Sequence, residues 1–179
     1  QQLGICELSK LKGVYDKLLR QNKSGNVQGI AQVHQDIAEQ NPAGAFLCGY
    51  PVFREICRLQ VRKTARFDEN EYILLLTLKA GEYTGSKVSD VNLFRIRNAM
   101  PHLVETLKKS LRPGDAVAQF SDSQYVILLS ACTYEGGMLV ANRIISKFYQ
   151  DNKIYRNVKI KINIEKVKTT ENILSKYTG

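Results

Sequence analysis

Cys6, Cys48, Cys57 and Cys132, with His34 and His102, are the side chains that could ligate a borderline metal such as zinc. Structural zinc takes a full tetrahedral set of these donors, usually with two of them a few residues apart. Here there is no C-x-x-C pair, and both histidines stand far from the cysteines in sequence. The pattern reads as reduced thiols in a cytosolic protein, with neither a metal site nor a disulfide framework. Arginine offers a different chemistry. Arg54, Arg58, Arg62 and Arg66 recur at every fourth position, so a helix would gather them into one basic ridge. The ridge reads first as a solvated face and second as an anion-binding surface. Arg112-Pro113-Gly114-Asp115 reads as a helix-to-strand turn, with Arg112 at the end of a helix and Asp115 closing the turn.

The charge balance sets broader bounds. There are 26 Lys and Arg against 17 Asp and Glu, a net charge of +9, which raises nucleic acid or phosphorylated ligands as partners. The bases are spread along the whole chain, with no compact block and no interleaved aromatic stripe, so direct DNA binding by this chain is the minor reading. No apolar run approaches the about twenty residues of a membrane span, and a signal peptide's layout is missing. A cytoplasmic protein without membrane contact is expected. The first residue is Gln1, which suggests a fragment of something longer. Its 179 residues suffice for one packed domain plus an appendage.

The elements that must position these residues follow from periodicity. Leu8, Leu11, Tyr15, Leu18 and Leu19 predict a short helix. Val27, Ile30, Val33, His34 and Ile37 predict a second, ended before Pro42. The segment from Ala43 to Phe46 is a linker or short strand. A helix over Val52–Arg66 has its apolar face at Val52, Phe53, Ile56, Cys57, Leu59 and Val61. Tyr72–Leu78 is a central strand and Gly81–Asp90 a loop. Leu93, Ile96, Met100, Leu103, Val104, Leu107 and Leu111 then predict a helix that Pro101 either kinks or starts.

Next comes the stretch around which the chain is organised. The apolar runs Ala116–Phe120 and Tyr125–Leu129 flank the turn formers Ser121, Asp122 and Ser123, which is a β-hairpin with a second strand buried on both faces. Thr133 caps a helix over Tyr134–Tyr149, whose inner face is read as Leu139, Val140, Ile144 and Phe148. Val158, Ile160, Ile162 and Ile164 alternate with Lys159, Lys161, Asn163 and Glu165, a half-buried strand whose lysine face discourages edge pairing. The tail from Thr169 holds at most a frayed turn. Strand, helix, hairpin, helix, strand is the split βαβ plan, an α+β ferredoxin-like sheet with helices on one face.

On that plan, LRPGDAVAQFSDSQY (residues 111–125) resembles the signature of GGDEF domains, the diguanylate cyclase fold: leucine-arginine-x-x-aspartate, a strand ending in arginine-tyrosine, then GGDEF. CTYEGGMLVANRI resembles the family's next helix, and the likeness covers roughly residues 70–165. More narrowly, AFLCGYPVFREICRLQVRK and YILLLTL, followed by the hairpin and CTYEGG, resemble the degenerate GGDEF-like region behind the bacterial transcriptional activator domain of large bacterial regulators. LGICELSKLKGVYDKLL would be the end of that activator domain. The resemblance implies a nucleotide-cyclase-like sheet. It divides the chain into an N-terminal helical segment over residues 1–42 and a degenerate GGDEF-like domain over residues 43–179.

Cyclases of this family need carboxylates to hold Mg²⁺ and glycines that let backbone approach phosphate. By the resemblance, the two glycines fall on Ser121 and Asp122 and the acidic pair on Ser123 and Gln124. The first-strand aspartate falls on or near Thr77 and the second carboxylate on Lys79. No catalytic residue, metal or cofactor is therefore expected. The implied function is a non-catalytic sensory or interaction domain of a transcriptional regulator. Its expected partners are the other domains of that regulator or a second copy, with DNA reached only through a separate domain. The alternative is a receptor for cyclic di-GMP or another nucleotide, because Arg112 and Asp115 fall on the family's product-binding arginine-x-x-aspartate.

Overall fold

The computed structural model describes residue 14 and residues 29–38, 43–67, 70–80 and 88–168, leaving aside the side chains of 65–67 and 88–90. The chain divides into two compact units, residues 1–41 and 42–179. In the first unit the described helix is α1 (Ile30–Ile37), on which Ile30, Val33 and Ile37 are all exposed. The helix expected over residues 8–19 lies outside the described residues, Val14 excepted. So do the loop at 81–87 and the tail from 169.

The second unit runs β1 (Phe46–Leu47), α2 (Tyr50–Phe67), β2 (Tyr72–Ala80), α3 (Val88–Ser110), β3 (Ala116–Ser121), β4 (Gln124–Leu129), α4 (Tyr134–Asp151), a 3-10 turn (Lys153–Tyr155) and β5 (Val158–Lys166). It is an α+β unit built on one five-stranded sheet of order β1-β3-β4-β2-β5. β4 is central, as its unbroken apolar run requires, and Tyr125 through Leu129 are all buried. β3 and β4 form the hairpin, closed by Asp122 and Ser123, with a bulge between Gln119 and Ser121. β5 pairs with β2 along its whole length and is the far edge. The short segment before α2 is a strand: β1 lies parallel to β3, with Phe46 N–H donating to the Asp115 carbonyl.

Alternation along β2 sends Leu74, Leu76 and Leu78 to one face, where they meet Ala99, Leu103 and Leu107 of α3 and Ala141, Ile144 and Phe148 of α4. Full burial of each such leucine is worth about 1.5–3 kcal/mol. The helices do not all share that face, in contrast to the split βαβ expectation. α2 packs on the other side, its Phe53 over Ala116, Ala118, Val126 and Leu128. The cause lies in β4, whose Val126 and Leu128 point opposite to Tyr125, Ile127 and Leu129, so both faces need cover.

Other boundaries shift as well. α3 begins at Val88, inside the stretch read as loop, and Pro101 sits well within it. That excludes the reading in which the proline marks the first turn. Thr133 caps α4, its Oγ1 accepting the Gly136 N–H at 3.1 Å. The inner face of α4 is Gly137, Ala141, Ile144 and Phe148, whereas Leu139 is 71% exposed. Among the described residues no helix is long and apolar enough to cross a membrane.

Candidate functional site

Strand register decides which of the singled-out residues meet. Thr77 on β2 stands opposite Gln124 on β4, and Ser121 opposite Gln124 across the hairpin. The turn is tied to the end of β2 by the Leu78 N–H, which donates to the Ser123 carbonyl at 2.8 Å. Thr77, Ser121, Ser123 and Gln124 thus form one cluster. Lys79 lies two residues further along β2 on the same face as Thr77, exposed and opposite Lys159.

The polar atoms of this cluster satisfy one another. Gln124 Nε2 donates to Thr77 Oγ1 at 2.9 Å, Ser121 Oγ donates to Gln124 Oε1 at 3.0 Å, and the Ser123 N–H donates to Ser121 Oγ at 3.3 Å. Every link is an uncharged hydrogen bond. The single acid of the turn, Asp122, points elsewhere and pairs with Arg97 of α3 at 3.7 Å, both side chains largely exposed. Arg97 was not singled out in the sequence, because only the fold brings α3 beside the hairpin. Between them lies a cleft of about 330 Å³ bordered by Met100, Pro101, Gln119 and Tyr125. Among the described residues no three His, Cys, Asp or Glu side chains gather as metal ligands. His102 sits on α3 with its ring 5.2 Å from that of Tyr155, and His34 lies exposed on α1.

Arg112 and Asp115 meet in a second place, at the other end of the hairpin strands. The Asp115 N–H donates to the Arg112 carbonyl at 3.0 Å, closing the Pro113-Gly114 turn. Asp115 is 3% exposed, and its carboxylate accepts the Arg112 N–H at 3.2 Å and the Ser130 N–H at 3.3 Å. Arg112 Nε lies 3.5 Å from Asp115 Oδ1, and its Nη2 donates to the carbonyls of Ser130 and Ala131. Ala131 has φ +45°, a left-handed conformation that costs a non-glycine residue strain. The Arg112 guanidinium therefore clamps the strained exit of β4.

Beside this turn opens a groove of about 910 Å³ between the end of α3 and α4, whose basic rim is Lys109, Arg112, Arg143 and Lys147. Arg143 Nη2 donates to the Ser110 carbonyl at 2.7 Å, serving a free carbonyl at the α3 C-terminus. Lys147 faces Asp151 at 3.9 Å. Cys132 sits in the wall; burial raises its thiol pKa and the nearby Arg112 opposes that rise. Arg143, Lys109 and Lys147 were invisible as a group in the sequence, being three of many dispersed bases.

No family model matches the chain, and no curated protein matches it by sequence. Solved structures do match in fold. One is a diguanylate cyclase (DGC) protein from Thermotoga maritima, with TM-score 0.51 and 15% identity over 76% of this chain and 95% of that chain. Another is the GGDEF domain of FimX from Pseudomonas aeruginosa, with TM-score 0.55 and 15% identity over 76% and 86%. A third is the diguanylate cyclase SiaD of Pseudomonas aeruginosa, solved with its activator SiaC, with TM-score 0.50 and 8% identity over 96% of this chain and 64% of that one. At these identities the likeness is one of fold: the chain has a GGDEF-like, cyclase-type sheet.

Proposed function

We propose that this chain is a non-catalytic GGDEF-like module, acting by contact rather than by chemistry within a cytosolic transcriptional regulator. The observation that carries the reading is the closed set of uncharged hydrogen bonds joining Ser121, Gln124 and Thr77, with Lys79 beside it. A hard divalent cation needs several oxygen ligands, carboxylates above all, and a polyphosphate needs close backbone approach at glycine. Hydroxyls, an amide and an ammonium supply neither, so the residues present do not fit a magnesium–nucleotide complex. Asp122 does not repair the set, because its side chain is largely exposed and lies beside Arg97, outside the cluster. The regulator context rests on the resemblance of AFLCGYPVFREICRLQVRK and the hairpin to the region behind bacterial activator domains. Incubation of the purified chain with GTP and Mg²⁺ is expected to leave the GTP intact. Any cyclic dinucleotide product on chromatography would overturn the reading.

A second reading, a cyclic di-GMP receptor through Arg112 and Asp115, is favoured by the cationic groove into which Arg112, Arg143, Lys109 and Lys147 open. Against it, the Asp115 carboxylate is committed to Arg112 and Ser130. Calorimetry with cyclic di-GMP decides between the two roles. Saturable heat that is lost in both Arg112→Ala and Arg143→Ala supports a receptor, and no heat at high ligand concentration ends the idea.

A further inference from the structure

The register of β2 on β5 brings together lysines that the sequence keeps far apart. Lys79 of β2 stands directly opposite Lys159 of β5, and Lys161, two residues on, stands opposite Thr77. Residues paired across two strands point to the same side of the sheet, as do residues two apart along one strand. The three lysines therefore share the face that carries Thr77 and Gln124, and each is exposed. α2 packs on Ile73 and Leu75, farther back along β2, and leaves the lysines uncovered.

Like charges directly across a strand pair repel, so the Lys79–Lys159 pair weakens the sheet that carries it. Among the described residues none of the three lysines lies in an ion pair. The acid of the hairpin turn, Asp122, is beside Arg97, and the acid of β5, Glu165, lies 3.7 Å from Lys168. The sequence 81–87 that follows β2 contributes one acid, Glu82, and one base, Lys87. Lys153 and Arg156, in the turn that enters β5, put two more exposed cations at the same end of the sheet, with the exposed Ile154 between them. An unfavourable pairing that the fold leaves in place is the mark of a functional surface, here one whose counter-charge comes from outside.

We propose that the open β2–β5 face at the hairpin end binds the phosphate backbone of double-stranded nucleic acid through Lys79, Lys159 and Lys161. The dispersal of the bases along the sequence argued against such a surface, and the pairing of β2 with β5 removes that objection. The side chains beside the lysines are Thr77, Asn163 and Gln124, the polar types that accompany lysine on phosphates. An acidic protein is disfavoured, because this patch has no apolar centre of the kind protein interfaces bury. A single strand is disfavoured too, since β2 and β5 present no aromatic platform on this face for unpaired bases. Small ligands take concave sites, and these lysines line neither of the clefts described above. A bilayer surface is held by an apolar face together with charge, and Ile154 is a single side chain. The assignment is independent of whether the hairpin end is catalytic.

The test uses the full 179-residue chain and fluorescein-labelled duplex DNA of about 25 base pairs in two unrelated sequences, read by polarisation at stepped salt concentrations. Both duplexes are expected to bind alike at low salt, with log K falling against log salt at a slope of about −2.7 or steeper, as three phosphate contacts require. Lys79→Gln/Lys159→Gln is expected to weaken binding at least about tenfold and to flatten the slope by about 1.8. The same variant is expected to raise the urea midpoint, because the facing charges are gone. Arg62→Gln/Lys63→Gln removes equal charge from exposed positions at the far end of α2 and is expected to leave the slope unchanged. Absence of binding at low salt, unchanged affinity in Lys79→Gln/Lys159→Gln, or an equal loss in Arg62→Gln/Lys63→Gln overturns the proposal. So does tighter binding to phosphatidylserine vesicles than to either duplex, which would give the face to a membrane.

Discussion

Cys57 shows how one side chain reports on its surroundings. It lies half-buried between α2 and β2, and burial, reinforced by Glu71 and Cys48, pushes its thiol pKa up to about 11. Since the folded value lies above the ordinary value of 9.0, the native state resists forming the thiolate. The stability this group contributes is present below pH 9 and declines as pH climbs toward 11. The thiolate is the reactive form, so alkylation by iodoacetamide near pH 8 should be at least about tenfold slower at Cys57 than at a free thiol. Mass spectrometry of peptides from the labelled native chain checks this. Asp115 carries the other residue-scale lesson. Both of its sequence-derived roles require the same residue type, and only the partners at 3.2 and 3.3 Å reveal a carboxylate already engaged in the turn. Thr77 and Gln124 were singled out by the resemblance alone; that they meet is set by the register of β2 on β4, which alternation leaves free in steps of two residues.

Gly44 governs how an element joins its neighbours. It has φ +72°, and a methyl group there would run into the backbone carbonyl oxygen of Lys108, near the end of α3. Gly44→Ala should therefore destabilise the chain by roughly 2–3 kcal/mol, lowering the urea midpoint without changing the slope. The same close approach brings β1 alongside β3. The sequence around Ala43–Phe46 allowed a short strand but did not name its partner, which lies far along the chain. Helix faces were legible only where the inward residues are large. On α3, Met100, Leu103 and Leu107 are buried as their spacing predicts, as is Leu111 just past its end, yet Leu93 of the same stripe is half exposed. On α4 the inward face includes Gly137 and Ala141, and the Gly137 position leaves space for Ile164. Counting bulky apolar residues misses such contacts and nominates the exposed Leu139 instead.

Across the whole molecule, the two ends of the sheet were unequally readable. The lysine-bearing strand was expected to guard an edge, and β5 is an edge. The cover on the second face was not foreseen, because α2 reads as an ordinary amphipathic helix and periodicity does not say which side of a sheet it will take. The same blindness hid the groove beside the Arg112 turn, since Arg112 and Arg143 become neighbours only through tertiary packing. The pairing of β2 with β5 also bears on how the protein is made. During synthesis β2 leaves the ribosome long before the strand that will flank it, so its outer backbone edge must wait unpaired until residue 166 has emerged, even after α3 and α4 have covered Leu74, Leu76 and Leu78. A stalled nascent chain of this protein would be a natural substrate for chaperones until that last strand closes the sheet.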